Sequence, residues 1–323
     1  MIRSFYLSKS GETRTDLSSA EIREALAEGG VLWVDFFRAT REEAAILSDV
    51  FRFHPLAIDD CHQPAFRPKV EFFDEHLFLI CHGPDLAGRG HEVRTLELDA
   101  FLGPNCLVTF HQVPLRSIVN TLEKCEKSPA QTLGFGADFL LYTILNEMAE
   151  NYAPILRRAE ARVAEVEEKV LEAKGREDIL PELMRLRHDL MSLRRVIVAQ
   201  RDAVNLLVSQ PPQVVTERAQ VYFRDIVSLY RRVLDVIDIQ SDALAGARDT
   251  YLALISNRMN EIMKTLTVIA LIMLPATVVS GIYGMNYDLV PANDWRFGFT
   301  FAIVLMAAIS GGMFWFFKRK KWL

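Results

Sequence analysis

The chain has 323 residues, half of them hydrophobic, and a formal net charge of −5 at pH 7. That acidic balance argues against a nucleic-acid partner, whose docking surface would be basic. Four cysteines, Cys61, Cys81, Cys106 and Cys125, form no Cys-x-x-Cys pair and read as buried reduced thiols, although Cys61-His62 and Cys81-His82 have metal-ligand composition.

The N-terminus carries no secretory h-region: Met1 to Leu7 is too short, and Lys9, Glu12 and Arg14 follow. The long N-terminal part is therefore expected in the cytoplasm. Val31–Phe37, Leu77–Cys81 and Cys106–Phe110 are short apolar runs of strand character. Helical spacing predicts Glu21–Ala27, Arg41–Val50 and Leu115–Lys124. Strands mixed with helices imply an α+β domain of α/β/α layers over residues 1–127. Ser128-Pro129 and Gly134-Phe135-Gly136 form a linker.

From Ala137 onward the pattern is helical. One helix is expected over Ala137–Lys174 and a second over Asp178–Val208, with Pro181 in its first turn. Gln210-Pro211-Pro212-Gln213 stops the second helix. A third runs from Val214 without a break, so residues 137–264 read as a helical hairpin and a stalk helix about 100 Å long where it continues into the next segment. The acids Glu160, Glu165, Glu167, Glu168, Glu172, Glu177 and Asp178 around the hairpin tip read as a solvated face, with a local field that concentrates divalent cations near a pore mouth as the sharper alternative.

No Asp, Glu, Lys or Arg occurs in Thr265–Tyr287 or Phe297–Phe317. Each stretch matches the roughly 20 apolar residues a helix needs to cross a bilayer. Residues 265–287 and 297–317 are thus two expected transmembrane helices joined by a loop over 288–296, with a basic tail over 318–323. Lys318, Arg319, Lys320 and Lys321 after the second span, and Arg258 and Lys264 before the first, outnumber Arg296 in the loop. Both termini are then cytoplasmic, the loop is periplasmic and the protein is multi-pass in the inner (plasma) membrane, with the lipid bilayer as a partner.

One face of the long helix has unusual chemistry. Asn260 lies eleven residues beyond Asp249, about 1100° of rotation and so within about 20° of the same direction. Steps of three and four then give Met263, Leu266 or Thr267, Ala270, Leu274, Thr277 and Gly281. A lipid-facing stripe has no use for Asn260, Thr277 and Gly281 together. A helix–helix seam accounts for the Thr and Gly. An ion pathway accounts for the whole set, with Leu274 or Met263 as an apolar constriction. Two helices enclose no lumen, so several copies must ring an axis with the first span inside. Asp225 points about 240° away from the stripe, so it does not face the same axis and is free to face a neighbouring subunit.

Gly281-Ile282-Tyr283-Gly284-Met285-Asn286, Leu274-Pro275, Asn260-Glu261-Ile262-Met263-Lys264, the turn with Pro291 and Trp295, and the Lys318–Leu323 tail resemble the CorA family of divalent-cation (magnesium and cobalt) transport proteins. The likeness is specific from about Val221 onward and rests on layout before that. It implies a homopentamer with a funnel-shaped cytosolic part and a pore lined by the first span. It assigns the selectivity filter to Gly284, Met285 and Asn286, with hydrated Mg2+ recognised by the Asn286 carboxamide and backbone oxygens. Mg2+ sheds water reluctantly, which suits recognition through its hydration shell. Asp249, Asn260 and Thr277 match family pore positions, and Leu274 a gate position. Asp225 matches a carboxylate that holds regulatory Mg2+ between subunits, with Asp85 or Asp74 as candidate partners.

The implied function is uptake of Mg2+, and of Co2+ or Ni2+, driven by membrane potential and gated by intracellular Mg2+. A ZntB-type Zn2+ transporter shares the fold, but Met285 favours the Gly-Met-Asn branch. A membrane-tethered scaffold or sensor is the reading from a different class. No P-loop, nucleophile elbow or His-Glu-x-x-His motif occurs, so no enzymatic reaction is expected.

Overall fold

The computed structural model describes residues 1–65, 67–86, 94–173, 178–285, 297–320 and 322. Two compact units emerge, Met1–Glu167 with Leu180–Gly246, and Glu168–Ile179 with Ala247–Leu323.

The first unit is built on a seven-stranded sheet. Its strands are β1 (Ile2–Leu7), β2 (Thr13–Thr15), β3 (Val31–Phe37), β4 (Lys69–Phe72), β5 (Leu77–Pro84), β6 (Thr95–Leu102) and β7 (Cys106–His111), in spatial order β2-β1-β3-β7-β6-β5-β4. The β3–β7 pair is parallel, and the other pairs are antiparallel. Alternation along β3 sends Leu32, Val34 and Phe36 to one face. There they meet Ile22 and Ala25 of α1 (Ser19–Glu28), Ala44 and Leu47 of α2 (Arg41–Asp49), and Ala57 of α3 (Pro55–Asp60). Helices α5 (Pro129–Leu133) and α6 (Ala137–Glu150) pack on the sheet, α5 against β1 and α6 against β5 and β7, and α4 (Arg116–Lys127) packs on both helices, completing the α/β/α layering.

Local chemistry sets the helix ends. Ser18 and Glu21 form a capping box at α1, and Thr40 and Glu43 form another at α2. Each satisfies two backbone donors that the first turn leaves open. The helix expected over Ala137–Lys174 is two helices, α6 and α7 (Tyr152–Ala173). The break at Asn151 follows from Pro154, which has no N–H to give and fits only in a first turn. α8 (Leu180–Ser209) comes next, then α9 (Glu217–Tyr283) and α10 (Gly298–Arg319). α9 starts later than Val214 because Thr216 caps it, its Oγ1 accepting from Ala219 N at 3.2 Å. Asp138 Oδ2 in turn accepts from Thr216 N at 2.9 Å and from Thr216 Oγ1 at 2.6 Å, tying the α9 start to α6.

All four cysteines are buried and unbridged. Burial pushes the Cys106 and Cys125 thiols up to about 12, where they stay protonated and inert. Between β3 and β7, Trp33 Nε1 donates to Thr109 Oγ1 at 3.1 Å, and Asp35 Oδ2 lies 3.3 Å from His111 Nε2. Burial alone would depress the His111 imidazole, but the Asp35 hydrogen bond and charge raise it.

Glu97 and Asp99 share a face of β6, and burial raises the pKa of both, Asp99 well above the carboxylate range with the Glu97 charge adding to the effect. A raised folded pKa means that the fold holds this proton more tightly than the unfolded chain does. The resulting stabilisation is complete below the unfolded value of about 4 and is lost as pH rises through the folded value. Asp99→Asn imitates the protonated acid. The thermal stability of the full chain in detergent should therefore fall less in this variant than in the native chain as pH rises above about 4. Parallel pH profiles would refute the protonated assignment.

Candidate functional site

α9 is one helix of 67 residues, and α10 has 22. The C-terminal part of α9 and the whole of α10 are long and apolar enough to cross a membrane, and few of their residues are buried by protein. Burial defines two faces on α9. Val268 is fully buried, and Ile272, Pro275, Ala276, Val279 and Tyr283 are half-buried, at three- and four-residue spacing. This is the α10 side, because Ser310 Oγ of α10 donates to Ile272 O at 3.2 Å.

The stripe lies on the other side. Ala270, Leu274, Thr277 and Gly281 are each two residues from a seam position, about 200° around the helix. Asp249, Asn260, Met263, Leu266, Ala270, Leu274, Thr277 and Gly281 are all exposed in the single chain. Leu274 is 62% exposed and Leu266 59%, large apolar groups with no covering partner among the described residues. The within-chain helix seam therefore uses a different face and leaves the polar stripe open.

Individual groups on that stripe refine its chemistry. Thr277 Oγ1 donates to Met273 O at 3.1 Å, so its proton is spent within the helix and its oxygen lone pairs remain available as acceptors. Among the described residues, its own helix's adjoining backbone and its two chain neighbours aside, nothing lies within 4 Å of where a Gly281 Cβ would stand. Asp249 is engaged by its neighbour Arg248, with Nη2 at 2.9 Å from Oδ1, a surface pair of small energetic weight. Sequence spacing gave no sign of this guanidinium.

Beyond Tyr283 the helix ends in a turn, in which Gly284 N donates to Ser280 O at 2.9 Å and Met285 N to Ile282 O at 3.2 Å. Met285 is 51% exposed. Asn286, the loop over 288–296 with Pro291, Trp295 and Arg296, and Lys321 lie outside the described residues. At the opposite end of the spans, Lys264 Nζ sits 5.7 Å from the Trp322 ring centroid and the Arg319 guanidinium 5.4 Å from that of Trp315.

Asp225 is exposed on the first unit. Burial raises the pKa of the Tyr142 phenol in α6, and the Asp225 charge adds to the rise, so the two are electrostatic neighbours. The single chain brings neither Asp74 nor Asp85 to Asp225 in any cage: among the described residues no group of three or more His, Cys, Asp or Glu is placed to hold a metal. The seam hydroxyl Ser310 was not singled out from sequence. Its signal is Ser310-Gly311-Gly312, the small-residue composition that lets membrane helices approach closely.

Comparison with known proteins bears on the whole chain. YfjQ of Bacillus subtilis (strain 168), named for metal ion transport, is 35% identical over 290 residues, 90% of this chain and 89% of that protein. The cobalt/magnesium transport protein CorA of Thermotoga maritima is 30% identical over 277 residues, 86% of this chain and 79% of that protein. The full-length structure of the CorA magnesium transporter from Methanocaldococcus jannaschii superposes with a TM-score of 0.85 at 24% identity, covering 100% of this chain and 99% of that one. The family model described as CorA-like Mg2+ transporter protein matches residues 28–319. This chain belongs to that family of membrane transporters.

Proposed function

We propose that the protein is a Mg2+ channel that also passes Co2+ and Ni2+, assembled as a homopentamer in the inner membrane with both termini in the cytoplasm. The observation that carries this reading is the exposed α9 stripe from Asp249 to Gly281, on the face that α10 leaves uncovered. Copies arranged about an axis bury that stripe against one another and around water, which gives Asn260 and Thr277 a polar lumen instead of lipid. Names of relatives that specify cobalt and magnesium support the choice of ion.

The stripe offers neutral oxygens along the membrane segment and one carboxylate, Asp249, at its cytoplasmic end. Gly284, Met285 and Asn286 form the filter, where a carboxamide ring holds an ion with its waters in place. Tight carboxylate ligation would slow release, whereas second-shell contact allows entry and exit. Membrane potential drives uptake at about 2.3 kcal/mol per charge per 100 mV, doubled for a divalent ion. Met263, Leu266, Ala270 and Leu274 line the pore, with Leu274 as its dry constriction.

Regulation follows from Asp225. Intracellular Mg2+ bound between subunits neutralises carboxylates that otherwise repel, holding the ring closed; its loss loosens the interface and shifts the population towards open.

Three measurements in liposomes test the proposal. Asn286→Ala should abolish Mg2+ uptake in an oligomer that still assembles, and near-normal uptake by that oligomer removes Asn286 from the filter. A panel of Mg2+, Co2+, Ni2+ and Zn2+, with and without a pH gradient, belongs to the same experiment. Zinc uptake that needs the gradient, without Mg2+ flux, would replace this reading with that of a zinc transporter.

Leu274→Asn should raise leak by wetting the constriction. Unchanged flux would move the gate to Met263 or Leu266. Asp225→Ala should weaken the protection that Mg2+ gives the cytosolic part against trypsin and blunt inhibition by internal Mg2+. Full protection with full inhibition would make Asp225 an ordinary solvated acid.

A further inference from the structure

β4 pairs with β5 only from Phe72↔Leu77 to Lys69↔Ile80, yet β5 continues to Pro84. On its other side β5 stays paired with β6 as far as Pro84↔Thr95. Past Ile80 the β4 side of β5 therefore has no neighbouring strand among the described residues. In an antiparallel ladder alternate residues direct both backbone groups away from a given partner strand. His82 is such a residue, and helical side chains take up both of its groups.

His82 N donates to Gln200 Oε1 of α8 at 2.8 Å, and His82 O accepts from Tyr152 Oη of α7 at 2.7 Å. The other end of the Gln200 amide, Nε2, donates to Tyr230 Oη of α9 at 2.5 Å. Gln200, Tyr152 and Tyr230 are completely buried. The His82 ring is held as well, its Nε2 lying 3.0 Å from Ala65 O. An apolar side chain would fill the Gln200 position without needing partners, whereas a buried amide must be paired. Here the pairing forms a directional chain, β5 backbone to Gln200 to Tyr230, that reaches the helix carrying the stripe.

We infer that Gln200 is a positioning residue for gating: it replaces the missing length of β4 and transmits displacement of the sheet to α9 at Tyr230, on the same helix as Asp225. The inference rests on the gating reading above. Apolar contacts tolerate sliding, but hydrogen bonds weaken steeply with distance and angle. With the chain intact, a shift of β5 moves α9 with it. With it cut, the two slip past each other, and a change at the sheet half of the cation site, where Asp74 and Asp85 flank β5 as the candidate partners of Asp225, reaches the pore weakly.

The test uses the full-length protein in liposomes, with hydrogen–deuterium exchange of β5 and of α9 beyond Tyr230 measured with and without Mg2+. Tyr230→Phe removes one hydroxyl and keeps the ring. Mg2+ should alter exchange in both segments of the native chain, but only in β5 of Tyr230→Phe. The Mg2+ concentration that half-inhibits uptake should rise about fivefold in that variant, the lower end of usual site-to-site coupling. Gln200→Leu cuts the same chain from the other side and must give the same split, and the double variant must add nothing to the midpoint shift of Gln200→Leu.

A native response of both segments in Tyr230→Phe overturns the inference. So does loss of both responses together, which marks general loosening, and so does a native chain whose α9 amides ignore Mg2+. Asp225→Ala is the separating control. If it behaves as the native chain does, the cation-site assignment falls, and the Gln200 link is still judged on the split between β5 and α9.

Discussion

The continuity of α9 is the constraint on which the remaining architecture depends. Within the first unit the helix buries Phe223, Ile226, Val227, Tyr230, Val233, Leu234 and Ile237, an apolar face that closes a protein core. Further along the same helix Ile262, Met263, Leu266, Ile269 and Leu274 are exposed, which suits lipid or a second copy and not water. A chain entering hydrocarbon must satisfy its backbone internally, and the unbroken helix does so with one exception. Pro275 has no N–H, and its ring crowds the carbonyl of Leu271. The irregularity lies on the half-buried seam, where the Ser310 hydroxyl approaches Ile272 O, so the weak point of the rod faces protein instead of lipid.

Patterns with a strong period were legible in the sequence. β3 and β7 are the expected runs Val31–Phe37 and Cys106–Phe110, the latter extended by one residue. Uncharged stretches of membrane length announced α10 and the end of α9. The stripe could be drawn because helix rotation is regular, and the burial seam on the opposite side of α9 is an independent result that the rotation argument did not use. β1, β2, β4 and β6 escaped notice for an identifiable reason. Thr95–Leu102 mixes Glu97 and Asp99 into a strand whose face is buried, so polar residues sit where alternation leads one to expect apolar ones. β2 is three residues long and β4 four, too short to show a period.

The polar links that fix tertiary geometry were not legible at all. Gln200 lies within a helix between Ala199 and Arg201, a polar residue at the end of the apolar run Val196–Ala199 that reads as the start of the solvated face. Its burial is decided by where β4 happens to stop, a fact of pairing between segments 118 residues apart in the Gln200–His82 bond. Asp138 is similar: an acid at a helix start reads as complement to the helix dipole. In the fold it also holds the Thr216 cap of a helix 78 residues away. Such residues obey no local rule because their partners are chosen by the fold.

The chemistry of the stripe limits how selective this protein can be on the proposed reading. Between Asn260 and Gly281 it offers a carboxamide, a hydroxyl whose proton is already committed to Met273 O, and apolar surface. None of these replaces a water in the first shell of a small divalent cation at a profit, since dehydration of Mg2+ is costly and neutral oxygens repay little of it. Ions then pass with their waters and are sorted by the size and charge of the hydrated species. Direct ligation by thiolate or imidazole would exploit the stronger affinity of transition metals for such donors, and the stripe has no His or Cys to provide it; its one sulfur is the uncharged Met263 thioether, a weak acceptor. A pathway of this kind discriminates charge and hydrated radius well and metal identity poorly. On that reading magnesium and cobalt would belong together as cargo for a physical reason: a wall that never touches the bare ion has little with which to tell them apart.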